Sequence, residues 1–232
     1  MDHPADIFLW YLVFIASTVV HEASHALASY RLGDPTAYHG GQVTLNPIPH
    51  IHRELIGTVI VPILSFFMGG WMIGWASTPY DPNWARTYPK RSAWMALAGP
   101  GANLVLILAA AGLIHAGMAL GMFLPPETIR FSHVVASVQP GIGAALAKLI
   151  SILFSLNLIL LFFNLLPCPP LDGSGIIPLF LRDETAVRYL DFIATSPLRY
   201  LGLFLAWEFF DKIFGPIQLM SINLLYPGLG YH

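Results

Sequence analysis

One cysteine stands in 232 residues, at position 168. That excludes an internal disulfide and any zinc ribbon built on paired cysteines. Charge is almost as scarce. Thirteen acids and eleven bases make up 10% of the chain, against about 25% in an ordinary soluble domain. So few ionic groups cannot assemble a polar surface around a core of this size. The net charge of −2 carries no basic excess, which sets aside nucleic-acid binding and polybasic attachment to a membrane surface. Internal repeats and low-complexity tracts are also lacking.

What is abundant is apolar: 56% of the residues are hydrophobic, which argues for lipid as the solvent. A crossing needs about 20 mostly apolar residues. On that rule Ile7 to Tyr30, Ile56 to Ala76, the stretch within Ser92 to Leu120, and Ile142 to Leu166 are expected to span the bilayer. Asp2 and Asp6 precede the first of these where a signal peptide would be basic, and the run is too long for a signal core, so it reads as a retained helix. Tyr200 to Leu225 is apolar but contains Glu208, Asp211 and Lys212. It reads as a fifth span, a pair of interfacial helices, or both.

The expected fold is an all-α polytopic membrane protein with about 4–6 transmembrane helices and a short β or re-entrant segment after the first helix. Residues 1–232 read as one domain, with its motifs between 21 and 173 and a C-terminal helical region over 184–232, a tail too short for an added PDZ-type domain. The β expectation rests on Gly41 to Leu45, where Val43 and Leu45 alternate with Gln42 and Thr44. Such an edge could pair with an extended substrate backbone. With four straight crossings, the positive-inside rule puts Arg86, Lys90, Arg91, Arg182 and Arg188 in the cytoplasm with the N-terminus, opposite Arg31, Arg53 and Arg130.

Residues 21 to 25 read His-Glu-Ala-Ser-His. Histidines at i and i+4 share one helical face, so two imidazoles can reach one metal ion while the adjacent Glu22 takes a proton from the attacking water. Counting from Ile7, His21 lies about 21 Å along the helix, inside a hydrocarbon layer about 30 Å thick. Three ionisable groups at that depth are costly unless they serve a function; the bland alternative is a polar helix-packing face. A catalytic zinc site needs a third protein ligand and one open position. Asp172 is the leading candidate, although an Asp-Gly pair also commonly caps a turn; Cys168 is a minor alternative. With Zn2+, Glu22 and Asp172 ionised and both histidines neutral, the site is formally neutral, which suits burial in a bilayer.

Taken together, HEASH at 21–25, LNPIPH at 45–50, ALAGPGAN at 96–103 and NLLPCPPLDG at 164–173 resemble the site-2 protease family of intramembrane zinc metalloproteases, most closely its compact prokaryotic members without a PDZ insertion. The resemblance implies that His21, His25 and Asp172 bind zinc, that Glu22 is the catalytic base, and that Asn164 helps to hold substrate or the active-site loops. It also implies that Asn103 supports the site; helix-to-helix hydrogen bonding is the plain alternative for both asparagines. Gly99 and Gly101 read as helix-packing positions. Two departures from the family pattern are Ser174 where a second glycine is usual, and His50-Ile51-His52 where His-x-Asp-Pro is usual. His50 and His52 are expected at a solvent-facing or interfacial position.

The implied activity is hydrolysis of peptide bonds in or near transmembrane segments of other membrane proteins, in regulated intramembrane proteolysis or clearance of signal-peptide remnants. The implied setting is a multi-pass protein of a prokaryotic cell membrane, with no oligomeric state implied. A non-proteolytic metal-binding membrane protein or transporter is the alternative, since it too would place His and Asp at mid-membrane. It would not require a glutamate beside the first histidine.

Overall fold

The computed structural model describes residues 4–195 and 198–232, with side chains described for 6–195, 210 and 212–232. The expectations placed on Asp2 and on the side chains of Glu208 and Asp211 lie outside the described residues. Three long helices carry the architecture: α1 (Pro4–Leu32), and two that follow later in the chain over Pro89–Ala119 and Ile142–Asn164. All three are long and apolar enough to cross a membrane. At 1.5 Å per residue the first is about 43 Å long, more than the hydrocarbon thickness, so its ends emerge from it.

Between α1 and the second long helix the chain makes two short helices, α2 (Thr36–His39) and α3 (Pro47–Arg53), then a π-helical turn at Ile56–Ile60 that runs into α4 (Val61–Gly69). The Asn46 side chain accepts from the Ile48 amide at 3.1 Å and Pro47 fills the first turn, a strong start signal for α3. The axis then bends by 111° into the 56–69 segment. Gly70, at φ 75°, ends α4 in the left-handed conformation, and the Ser65 hydroxyl accepts from the Ile73 amide at 3.0 Å. The chain climbs back without helix to α5 (Pro82–Thr87), which leads into α6 (Pro89–Ala119).

The descending helix and the ascending segment touch backbone to backbone. The Trp75 amide donates to the Gly57 carbonyl at 3.1 Å, and a Cβ on Gly74 would lie 2.2 Å from that carbonyl oxygen. Ser77 donates to Glu54 Oε1 at 2.5 Å. Ile56 to Ala76 is therefore not a straight crossing. The second expected span is thus corrected: the segment is a re-entrant hairpin, entering and leaving at one end of α1.

The β expectation is corrected as well. Residues 41–46 are turns and bends, not a strand. Gly41 adopts φ 71°, Gln42 is buried, and the Thr44 hydroxyl accepts from the Asn46 amide at 3.1 Å. Local side-chain bonds of this kind compete with a ladder. His50 is also corrected: it is 1% exposed and its Nε2 donates to the Thr44 carbonyl at 3.1 Å, while His52 is exposed as expected. The sheet that does form among the described residues is a two-residue antiparallel pair, β1 (Phe123–Leu124) with β2 (Ala136–Ser137).

The re-entrant hairpin reverses the topological reading. Arg91 donates to the Leu32 carbonyl at 3.2 Å and the Asp81 amide to Asp34 Oδ2 at 2.9 Å. The end of α1 and the start of α6 therefore lie together, and Arg31 and Arg53 share one face with Arg86, Lys90 and Arg91. They are not opposite them. At the other end of α1, Lys148 pairs with Asp6 at 2.5 Å, which places the start of α7 (Ile142–Asn164) beside the N-terminus.

Helices α6 and α7 pack with α10 (Leu198–Leu225) around Ile107, Ile114, Phe154, Phe214 and Ile222. A second core joins Trp10 and Phe14 of α1 to Phe66, Met72 and Leu156. Outward-facing Val105 and Leu108 of α6 are 64% and 62% exposed, and Met68 of the re-entrant α4 is 89% exposed; such apolar exteriors suit lipid. After α7 the chain forms α8 (Asp172–Ile176), a 3-10 turn at Ile177–Phe180, and the amphipathic α9 (Asp183–Thr195).

Candidate metal centre

His21 and His25 project from one face of α1 towards α6, and Asp172 reaches the same point from the first turn of α8. The Nε2 atoms of the two histidines are 3.0 Å apart. Asp172 Oδ2 lies 3.1 Å from the first and 3.3 Å from the second. A tetrahedral ion with bonds of about 2.0–2.1 Å holds its ligand atoms about 3.3 Å apart, so the three separations are close to those that a single ion would need.

The proton bookkeeping supports this. His21 Nδ1 donates to Asn103 Oδ1 at 2.6 Å, and His25 Nδ1 donates to the Met95 carbonyl at 2.8 Å. In the neutral imidazoles both Nε2 atoms are then bare lone pairs. They face each other and a buried carboxylate oxygen that has no hydrogen-bond partner. Three acceptors converging without a donor are unfavourable unless a cation lies among them. Space for the donor set comes from Gly99 of α6: a Cβ there would fall 2.3 Å from His25 Nε2 and 2.5 Å from His21 Nε2. Gly99 is thus a wall of the cradle itself, beyond the helix-packing role expected of it. Gly101 has nothing within 4 Å of an added Cβ and does not make the expected close contact.

Glu22 is 6% exposed and lines a cavity of about 590 Å³ together with His25 and Asp172. Its Oε2 accepts from the Thr78 hydroxyl at 2.7 Å. Ser77, Thr78, Arg86, Ser92 and Asp191 give the same cavity polar walls, so water can reach the carboxylate. Arg86 and Asp191 pair at 3.0 Å on its rim. The Asp172 segment is fixed from behind by Lys90, whose ammonium donates to the carbonyls of Pro178, Leu179 and Leu181, and by Tyr189, which donates to the Ser174 carbonyl at 3.0 Å. A Cβ on Gly173 would lie 2.3 Å from the Leu165 carbonyl oxygen, so the Asp-Gly turn packs directly on the end of α7.

The structure brings together His21, His25, Asp172 and Glu22, with Asn103 directly behind His21. Asn164 sits apart at the end of α7, half-buried, and its amide donates to the Leu160 carbonyl of its own helix at 3.0 Å. Cys168 is a free thiol outside the metal-binding group. Two participants escaped the sequence reading. Thr78 carries no signal, being one hydroxyl in a polar loop. Asn157 does: an amide within a 23-residue apolar helix is as costly as Asn103 and invites the same question.

The model of peptidase family M50 matches residues 9–206. The chain belongs to peptidase family M50, the site-2 proteases. This M50 member is 33% identical over 182 residues to YwhC of Bacillus subtilis, a protein described as a candidate zinc metalloprotease; the match covers 74% of this chain and 73% of YwhC. It is 29% identical over 172 residues to Rip2 of Mycolicibacterium smegmatis and to Rip2 of Mycobacterium tuberculosis, similarly described, covering 74% of this chain but 57% of either relative. No solved structure matches it. As an M50 peptidase it is a zinc metalloprotease of the membrane, and the His21, His25 and Asp172 donor set fits that metal.

Proposed function

We propose that residues 1–232 form one intramembrane protease domain that cuts peptide bonds in or near transmembrane segments of other membrane proteins, with His21, His25 and Asp172 holding zinc and Glu22 as the catalytic base. The observation that carries this reading is the convergence of three donor atoms, within 4.8 Å of one another, beside a glutamate that opens onto a polar cavity. Zinc held there would supply Lewis acidity for the attacking water and the scissile carbonyl. The Glu22 carboxylate accepts the proton released by the attacking water and delivers it to the leaving amine. Thr78 donates to one carboxylate oxygen, which orients the group and leaves its other oxygen for the water.

A substrate helix must unwind before its carbonyl can enter, since each backbone group in lipid is bonded within its own segment. Regulated intramembrane proteolysis or clearance of signal-peptide remnants is the process this chemistry serves. Asn164, at the mouth of the turn that leads to Asp172, acts on loop or substrate position. The setting is a multi-pass protein of a prokaryotic cell membrane, as the bacterial relatives support. The face rich in arginine and lysine, holding Arg31, Arg53, Arg86, Lys90 and Arg91, is cytoplasmic by the positive-inside rule, and the N-terminus lies opposite. Metal analysis tests the ligand set. Purified protein is expected to hold about one zinc per chain, and His21→Ala, His25→Ala and Asp172→Ala each to lose it; full zinc in all three would overturn the assignment.

A further inference from the structure

Behind the metal centre a buried polar chain crosses three helices. His21 Nδ1 donates to Asn103 Oδ1 at 2.6 Å, Asn103 Nδ2 donates to Asn157 Oδ1 at 2.8 Å, and Asn157 Nδ2 donates to Ser17 Oγ at 2.9 Å and to the Leu153 carbonyl at 2.8 Å. Asn103, Asn157 and Ser17 are each 0% exposed. Only one member of this chain has a fixed polarity: the Leu153 carbonyl, a backbone group that can only accept. It sits one turn before Asn157 in α7 and cannot rotate.

The orientation of every other group follows from it. An acceptor at Leu153 requires the Asn157 amide nitrogen to face it, so Asn157 presents its oxygen to α6. That oxygen requires the Asn103 nitrogen, which leaves the Asn103 oxygen facing His21. An oxygen there accepts only from Nδ1–H, and the neutral imidazole then has its lone pair on Nε2, the atom aimed at His25 and Asp172. Were Asn103 turned over, its amide would donate to Nδ1, the imidazole proton would move to Nε2, and the donor atom would be blocked.

We infer that Asn157 is a positioning residue for zinc, setting the tautomer of His21 through the Asn103 amide from a backbone carbonyl of α7. The inference rests on the reading of His21 as a zinc ligand. Partners that orient a ligating histidine typically contribute 10–100-fold in metal affinity, and residues that act through one another give non-additive effects.

The experiment measures zinc affinity by chelator competition on the purified full chain for Asn103→Ala, Asn157→Ala and the double variant. Asn157→Leu keeps the volume between the helices filled should the alanine variant pack poorly, and Ser155→Ala, a buried change in α7 that removes no hydrogen bond, serves as a packing control. Each Asn157 variant is expected to weaken zinc binding about tenfold or more. The double variant should bind no more weakly than Asn103→Ala alone. Ser155→Ala, which leaves every bond of the network intact, should bind within about twofold of wild type. Wild-type affinity in Asn157→Leu, or a double variant whose loss is the product of the single losses, would overturn the inference. Failure of the underlying reading looks different: His21→Ala would then keep its zinc.

Discussion

Adding one methyl group at Gly99 tests whether the space among the three donors is a metal cradle. A Cβ built on Gly99 lies 2.3 Å from His25 Nε2, 2.5 Å from His21 Nε2 and 2.6 Å from His21 Cε1. Ordinary van der Waals contact begins near 3.4 Å, so an imidazole must withdraw by about 1 Å, or the helices must part by as much. Zinc bonds tolerate about 0.2 Å. Gly99→Ala is therefore expected to abolish stoichiometric zinc and to lower cleavage by two orders of magnitude or more, while the helices remain folded. Gly101→Ala is the matched control, two residues along the same helix with nothing within 4 Å; it should keep zinc and gain about 1 kcal/mol or less in helix propensity. Zinc content by elemental analysis and helicity by circular dichroism read both variants. Full zinc in Gly99→Ala would refute the reasoning, because the added methyl group and an ion at the donor set cannot share that space.

Thr78→Val should leave zinc in place and lower kcat about 10–100-fold, the cost of losing a hydrogen bond to a charged group, with Thr78→Ser restoring most of it; unchanged kcat in Thr78→Val would remove Thr78 from the positioning of Glu22. The re-entrant hairpin predicts that cysteines placed at Arg53 and Arg86, in a Cys168→Ser background, are labelled from the same side of the membrane, and one at Arg130 from the other. Labelling of positions 53 and 86 from opposite sides would restore the straight second span.

The long helices and the two histidines of the candidate metal site were legible because each is a local pattern. Twenty apolar residues have one common solution in lipid, and His-Glu-Ala-Ser-His displays its spacing within a single turn. The re-entrant hairpin was only half legible. Ile56 to Ala76 is as apolar as a true span, and what turns it back is the left-handed Gly70, the Ser65 bond to Ile73 and the Gly57 and Gly74 contacts. Only the last two join residues well separated in sequence, and no hydropathy window registers any of them. Counting one crossing too many also separates Arg31 and Arg53 from the face that holds Arg86, Lys90 and Arg91. Val43 and Leu45 gave a period-2 signal that side-chain bonds from Thr44 and Asn46 overrode. Asn103 was singled out and Asn157, equally an amide in an apolar helix, was not; their pairing joins positions 54 residues apart.

The central claim is that Glu22 moves the proton at a zinc site formed by His21, His25 and Asp172. Glu22→Gln keeps the size of the side chain, and its amide can still meet the Thr78 hydroxyl, but it cannot accept a proton. The most direct test compares wild type and Glu22→Gln in liposomes containing a single-span reporter protein, reading zinc content and cleavage on the same samples. Equal zinc, about one per chain, with cleavage confined to wild type is the predicted result. Undiminished cleavage by Glu22→Gln would contradict the account.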